Sequence, residues 1–384
     1  MAEKEMKILI LIPGLPVDLE QIRGGIHSAL INLLHGFASV KNIDIRVVSF
    51  NKDLPKTKTL KFANNISIYY EHEGIFPFHS LNYFFFGSGK LKYHVKDFSP
   101  DVIHFQVGNT FLFIKLFVKI NCPVVLTIHG MSNEEAKRKT KLSDKITWRF
   151  NSLMNSFLIP EHIIHLSSFS KSKTKNFNFK NEVIIHNAVP LKYFQIPLKK
   201  KTDNTLLYIG VIDNNKNLLF LLNILKKMND LHIFYRLEVL GGYSNSIIQS
   251  QIEHFIDTNN LSSNIQFHGW VLQEKVIELI SKSDILVVSS KHESLPMAIA
   301  ESMASGKVVI ASDVGGIPEM ITNETDGFLF NLSKESQIIE PLKKLHNNFN
   351  LIASIAENAK KSASDKFDCE KVAERTISFY KKIN

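Results

Sequence analysis

Short apolar runs alternate along this chain with longer stretches whose apolar positions recur at helical spacing. KILILI (7–12) has the unbroken apolar character of a strand buried on both faces. GIHSALINLLHGFASV (25–40) reads as a helix, IDIRVVSF (43–50) as a strand and ISIYY (66–70) as another. DVIHFQ (101–106), PVVLTIH (123–129), HIIHLS (162–167) and EVIIH (182–186) continue the series, with helical segments between them. Strands that are apolar throughout and separated by helices predict a parallel sheet covered on both faces.

NAVPLKYFQIPLKKKTDN (187–204) breaks the pattern. Two prolines, a lysine run and no periodicity predict a linker over 191–204. The alternation then restarts with TLLYIG (205–210), FYRLEVLGG (234–242), NIQFHG (264–269), DILVVSS (284–290), KVVIAS (307–312) and GFLF (327–330). The predicted architecture is therefore α/β: two Rossmann-like doubly wound domains, 1–190 and 205–365. KFDCEKVAERTISFYKKI (366–383) places Val372, Ile377 and Tyr380 near helical spacing and predicts a closing helix that completes the first domain. Two such domains are expected to face each other across a cleft at the carboxyl ends of their strands, where ligands bind in doubly wound folds.

Composition narrows the class. The 384 residues are 44% hydrophobic and 22% charged, ordinary for a globular protein of two domains. Two cysteines, Cys122 and Cys369, exclude a disulfide scaffold or a cysteine-rich metal site and suit a reducing, cytoplasmic compartment. The N-terminus MAEKEMKILILIPG does not read as a signal peptide, and no run of apolar residues is long enough to span a bilayer.

The net charge of +9 is unevenly spread: 28 Lys+Arg against 15 Asp+Glu over 1–201, then 18 against 22 over 202–384. A basic first half suits either an anionic partner or a solvated lysine-rich surface. Within it, KRKTKLSDKITWRF (137–150) puts Arg138, Lys141, Lys145 and Arg149 on one helical face, and LNYFFFGSGKLKYHVK (81–96) mixes phenylalanines with lysines. Both fit peripheral contact with an anionic membrane, and both fit a core-packed helix with a solvated face. No nucleic-acid-binding module is recognisable, so a nucleic-acid partner is not expected.

Candidate chemistry gathers where strands end. Arg23, Gly24 and Gly25 follow the first strand and open the first helix, where backbone N–H groups can meet phosphate. The spacing is not GxGxxG, which disfavours an ordinary dinucleotide site; a purely structural turn remains the other reading. His129 ends the strand VVLTIH, either as a neutral hydrogen-bonding group or as a satisfied half-buried residue. Lys216 lies at a helix start, against the helix dipole, which suits either solvent exposure or an anion such as a diphosphate. In HESLPMAIAESMASG (292–306), Glu293 follows a buried strand, Pro296 and Met297 fit a first helical turn, and Glu301 lies deeper. A carboxylate suits the paired hydroxyls of a sugar or ribose because it accepts two hydrogen bonds.

ESLPMAIAESMASGKVVIASDVGGIPEMITNETDGFL (293–329) resembles the family 4 retaining glycosyltransferases, of GT-B fold. Glu293 and Glu301 match the family's E-x7-E motif, Ala304 to Ile310 its small-residue, glycine and Val-Val segment, and Gly315, Gly316 and Glu319 its Gly-Gly-x-x-Glu segment. The Gly24–Gly25 loop, His129, the Asn187-Ala188-Val189 boundary and Lys216 fall where the family has corresponding features. The resemblance covers nearly the whole chain, is strong from about 205 to 330, and is weak over 50–120, where acceptor recognition varies.

The resemblance implies a hexosyl transfer from a UDP- or GDP-linked sugar to a glycan or lipid-linked acceptor, in surface polysaccharide or glycolipid synthesis. It implies that Gly24, Gly25 and Lys216 contact the donor diphosphate, that Glu301 holds the ribose hydroxyls, and that Glu293 with the amides around Leu295, Met297 and Ala298 holds the transferred sugar. His129 would lie beside that sugar. Glu293, His129 and Lys216 would be the catalytic set, acting electrostatically, with no metal and no cofactor beyond the nucleotide-sugar co-substrate. The sequence has no DxD metal motif. Two departures stand out. Val211 occupies the place where the family has an arginine after glycine, leaving Arg23 or Lys291 as candidate second cations, and Ser294 stands where many members have glycine. Val211 keeps open a weakly active or non-catalytic member that binds a partner; a sugar-nucleotide epimerase on the same fold is the other alternative.

Overall fold

The computed structural model describes residues 4–21, 24–51, 54, 56–72, 87–107, 118–129 and 160–384. The chain divides into two compact units, Met1–Ala188 with Cys369–Asn384, and Val189–Asp368.

Among the described residues, the first unit carries an eight-stranded sheet: β1 (Met6–Pro13), β2 (Ile43–Asn51), β3 (Lys58–Ala63), β4 (Ile66–His72), β5 (Val102–Phe105), β6 (Val124–Ile128), β7 (His162–His165) and β8 (Asn181–Ile184). Their order is β3-β4-β2-β1-β5-β6-β7-β8. All pairings are parallel except β3 with β4. Successive side chains of β1 point to opposite faces, so its apolar run feeds two cores. Ile8, Ile10 and Ile12 join one cluster, Leu9 and Leu11 the other, and all five are fully buried.

The first face is covered by the helices Gly25–Ala38 and Cys369–Ile383. These two approach closely at Gly36, where a Cβ would lie 2.0 Å from the Cys369 carbonyl oxygen. Val372, Ile377 and Tyr380 of the closing helix are buried there, as their spacing suggested. The pattern reading missed β3. Its lysine-bearing sequence KTLKFA lies at the sheet edge with no residue fully buried, so it has no apolar run to betray it.

The second unit carries a six-stranded, wholly parallel sheet: β9 (Thr205–Ile209), β10 (Arg236–Leu240), β11 (Ile265–Gly269), β12 (Ile285–Val288), β13 (Val308–Ser312) and β14 (Phe328–Phe330). The order is β11-β10-β9-β12-β13-β14. It reverses direction beside β9, the first strand of the unit, which places the ligand-binding switch point at the carboxyl ends of β9 and β12.

The stretch 191–204, expected to be a linker, packs into this unit instead. It contains the helix Leu191–Phe194, and Tyr193 is buried. Leu198 fills the space above Gly306, and the Lys360 ammonium donates to the Ile196 carbonyl at 2.7 Å. Isolated apolar anchors at Tyr193, Ile196 and Leu198 hold the segment without any periodicity to announce it. The chain enters the unit at Val189 and leaves at Asp368, and these residues are bridged, with Val189 N–H donating to the Phe367 carbonyl at 2.7 Å. Among the described residues no helix is long and apolar enough to cross a membrane.

Candidate functional site

In the second unit the carboxyl ends of β9, β12 and β13 deliver three loops that are laced together. After β9 comes Gly210, then DNNK (213–216). The Asp213 carboxylate accepts the amides of Asn215 (2.9 Å) and Lys216 (2.7 Å), an Asx turn that fixes the loop locally. Asn217 then adopts a left-handed conformation (φ 56°) and the helix Leu218–Asp230 begins. The loop after β12 binds this turn. Ser289 Oγ donates to the Lys216 and Asn217 carbonyls, Asn215 Nδ2 to the His292 carbonyl, and Lys291 N–H to the Asn215 carbonyl at 2.8 Å.

This lacing brings Lys216 and Glu293 into direct contact, Nζ to Oε1 at 2.5 Å, with side chains 27% and 11% exposed. The pair is half-buried, so its attraction is less screened than that of a surface pair. Gly315, after β13, completes the arrangement. Its φ is +61°, and a Cβ would fall 1.7 Å from the Glu293 carbonyl oxygen. Gly316 N–H donates to that same oxygen at 3.2 Å. The Gly-Gly pair thus seats the backbone of Glu293.

Immediately beyond Glu293, Pro296 precedes the helix Met297–Ala304, which no side chain caps. The Ile299 N–H donates to the Pro296 carbonyl at 3.2 Å, and the Met297 and Ala298 amides stand ahead of it at the helix start, a place that suits an anion. Ser294 is half-buried on the approach to this helix, and Leu295 is buried. Lys291 is exposed beside Lys216's loop. Val211, where a second cation was expected, presents its carbonyl to the Tyr208 hydroxyl at 3.2 Å and offers no charge. On the other flank, Gly242 lets the Trp270 indole approach, for a Cβ there would lie 2.3 Å from its Nε1.

Glu301 sits inside the same helix and is buried, 8% exposed. Burial pushes its carboxyl up to about 7, opposed by a hydrogen bond from Tyr193 and the charge of Lys192. Tyr193 was not among the residues singled out from sequence. It lies in the stretch read as linker, and nothing in its local pattern signals a partner across the fold.

In the first unit the helix Gly25–Ala38 also starts without a side-chain cap, behind Gly24 at φ 106°. Among the described residues, a Cβ at either Gly24 or Gly25 would meet nothing within 4 Å. His27, one turn in, is tied to the Pro13 carbonyl at the end of β1 by 2.9 Å. His129 follows β6, and its Nε2 lies 2.8 Å from Gln106 Oε1 at the end of β5. Because an amide oxygen only accepts, this contact places the His129 proton on Nε2 and leaves Nδ1 as an acceptor. Burial and the neighbouring His27 hold His129 down at about 4, so the ring is neutral. Behind it, His104 is fully buried between Thr127 Oγ1 (2.7 Å) and the hydroxyl of Tyr380, and burial pushes it down to about 3. Arg23, Gly130 and the basic stretch 137–150 lie outside the described residues.

The chain as a whole has counterparts among known sequences. A model described as Glycosyltransferase Family 4 matches residues 23–193, and one described as Glycosyl transferases group 1 matches residues 191–362. The chain belongs to the group 1, family 4 glycosyltransferases. An uncharacterized glycosyltransferase of Methanocaldococcus jannaschii is 27% identical over 267 residues, 69% of this chain and 70% of that protein. Among solved structures, sucrose-phosphate synthase from Thermosynechococcus elongatus superposes with a TM-score of 0.80 at 17% identity, covering 98% of both chains. Anabaena HepE, in complex with UDP and glucose, gives 0.74 at 16% identity over 97% of this chain and 98% of that one. These likenesses establish the GT-B fold for this glycosyltransferase.

Within that fold, Lys216, Glu293, Leu295, Met297 and Ala298 occupy one continuous patch at the switch point of the second unit. Glu301 is buried one turn further along the same helix. Gly24, Gly25 and His129 share the carboxyl edge of the first sheet. Asp213 and Asn215, which shape the Lys216 loop, were absent from the sequence expectations, although D-N-N-K is a legible Asx-turn signature. Gln106 was read only as the end of a strand.

Proposed function

We propose that this glycosyltransferase moves a hexose from a nucleotide-diphospho-sugar to a glycan or lipid-linked acceptor with retention of configuration at the anomeric carbon. The observation that carries the reading is the Lys216–Glu293 pair beside the uncapped Met297–Ala304 helix. A cation, a free helix N-terminus and a carboxylate at one switch point suit a diphosphate joined to a polyol. In this reading the donor diphosphate takes Lys216, and Glu293 turns from the ammonium to the sugar hydroxyls. The amides of Met297 and Ala298 face the same sugar, Glu301 takes the ribose hydroxyls, and the Gly24–Gly25 backbone faces the diphosphate.

The chemistry asked of the protein is electrostatic. The bond from the anomeric carbon to the leaving phosphate breaks, and the acceptor oxygen adds on the same face of the sugar. The departing phosphate oxygen takes the acceptor's proton, so no protein base is required. Lys216 and the helix N-terminus stabilise the departing diphosphate, where loss of one such donor costs roughly 10²–10³ in rate. His129, neutral with Nδ1 free to accept, suits a sugar hydroxyl. The reading needs neither metal nor further cofactor.

HepE's complex with UDP makes UDP the first nucleotide to test, with GDP second. A basic first half and a lipid-linked acceptor together favour a cytoplasmic protein that touches anionic membrane peripherally. A second reading, nucleotide binding without transfer, is favoured by Val211, which removes one expected cation.

The test is a thermal-shift panel of UDP, GDP and their sugar conjugates on the wild type and on Glu301→Ala. A ligand that binds only the native state raises its melting temperature. One nucleotide series is expected to stabilise the wild type and not the variant. An intact fold that no nucleotide stabilises overturns the reading. Stabilisation by the sugar conjugate with no turnover in the presence of glycan or lipid acceptors selects the non-catalytic alternative.

A further inference from the structure

One ring nitrogen of His129 is already engaged inside the first unit, by Gln106 Oε1 at 2.8 Å from Nε2. Gln106 directly follows β5. Its backbone N–H donates to the Leu11 carbonyl of β1 at 3.0 Å, which pins the residue to the middle of the sheet. Its side-chain nitrogen lies 3.4 Å from both ring nitrogens of His104. His104 is itself clamped, with Nε2 at 2.7 Å from Thr127 Oγ1 on β6 and Nδ1 against the Tyr380 hydroxyl of the closing helix. A neutral imidazole keeps one bare nitrogen, which an NH₂ group can meet and a carbonyl oxygen would oppose. The amide therefore turns its nitrogen to His104 and its oxygen to His129. That oxygen only accepts, so His129 donates from Nε2 and its Nδ1 is left bare.

We propose that Gln106 is a positioning residue that fixes His129 as a hydrogen-bond acceptor at Nδ1, so that the histidine selects a sugar hydroxyl over a group that can only accept. The inference rests on the reading of His129 as the residue beside the transferred sugar. Gln106 is 2% exposed and His129 half-buried, so a ligand meets the histidine and not the amide. Without a fixed partner, a neutral ring can carry its proton on either nitrogen. It could then donate to an acceptor as readily as it accepts from a hydroxyl. Holding the proton on Nε2 removes the first option and makes the contact discriminating.

The first experiment is NMR of the full chain labelled at the histidine ring nitrogens, with the His129 signals assigned by their loss in His129→Ala. The wild type is expected to show Nε2 protonated and Nδ1 bare. Gln106→Leu keeps the bulk and removes the acceptor. It is expected to raise the ratio of Nδ1-protonated to Nε2-protonated ring about fivefold, the effect of one hydrogen bond. Gln106→Glu restores an oxygen acceptor and is expected to keep Nε2 protonated. A wild type protonated on Nδ1, a ratio that Gln106→Leu leaves unchanged, or loss of the Nε2 proton in Gln106→Glu overturns the proposal. The second experiment reads the consequence by calorimetry, with UDP-glucose, GDP-mannose and analogues of each in which one sugar hydroxyl at a time is replaced by fluorine. The wild type is expected to bind one analogue about tenfold or more weakly than its parent, and Gln106→Leu to narrow that gap by up to about fivefold. The underlying reading fails differently: His129→Ala then leaves every gap as in the wild type, or the wild type binds neither nucleotide-sugar, while the ring proton stays on Nε2. Either result removes the discrimination, and the proposal with it.

Discussion

At the scale of single residues, two carboxylates eight positions apart carry opposite environments. Glu293 is ion-paired with Lys216 at the mouth of the β9 and β12 loops, whereas Glu301 is buried within its helix. If the donor diphosphate must take Lys216 from Glu293, then Glu293→Gln frees the ammonium. That variant is expected to bind UDP or GDP more tightly while sugar transfer falls by about 10²-fold or more, read by calorimetry beside a donor-turnover assay. Glu301 titrates near neutrality, pushed up to about 7 by burial. Its folded value lies above its unfolded one, so its contribution to stability is complete below about pH 4.5 and is lost as pH rises through about 7. Ribose hydroxyls need the charged form. From about pH 4.5 to about 7 the empty protein should therefore lose stability from this group, while nucleotide affinity grows as the carboxyl ionises around pH 7. Glu301→Gln should flatten both trends, which melting curves and titrations across that range will measure.

At the scale of elements, the site depends on backbone approaches that only glycine permits. Gly315 leaves room for the Glu293 carbonyl where any Cβ would collide, at a φ of +61°. Gly315→Ala should cost about 1–3 kcal/mol in urea unfolding, as overpacking does, and should lower turnover further by displacing Glu293. Gly36 has the same part in the first unit, under the Cys369 carbonyl. Gly36→Val should loosen the closing helix Cys369–Ile383. Faster amide exchange confined to that helix and to Gly25–Ala38 is the expected signature.

At the scale of the whole molecule, the second unit is an insertion whose ends meet at the Val189–Asp368 bridge. A fragment of residues 189–368 carries its own core and should unfold cooperatively when expressed alone. A fragment of residues 1–188 lacks Val372, Ile377, Phe379 and Tyr380, which complete its core, and should not fold until residues 369–384 are restored. Circular dichroism and urea titration of the fragments decide both points. The same helix carries Tyr380 to His104 behind His129, so its loss should also disturb the surroundings of His129 within the first unit.

The sequence by itself determined the alternation of strands and helices, the two parallel sheets and the return of the last helix, because burial on both faces writes itself as continuous apolar runs. It also determined which loops carry chemistry, since strand ends are local features and E-x7-E with Gly-Gly is a local string. Tertiary structure alone decided the rest. It brought Lys216 to Glu293 across 77 positions, and it turned 191–204 from an expected linker into a packed part of the second unit. It also paired β3, with its lysines, to β4 at the sheet edge and tied His129 to Gln106. These are contacts between side chains distant in the chain, fixed by packing and hydrogen-bond geometry, and no local pattern of polar and apolar residues encodes them.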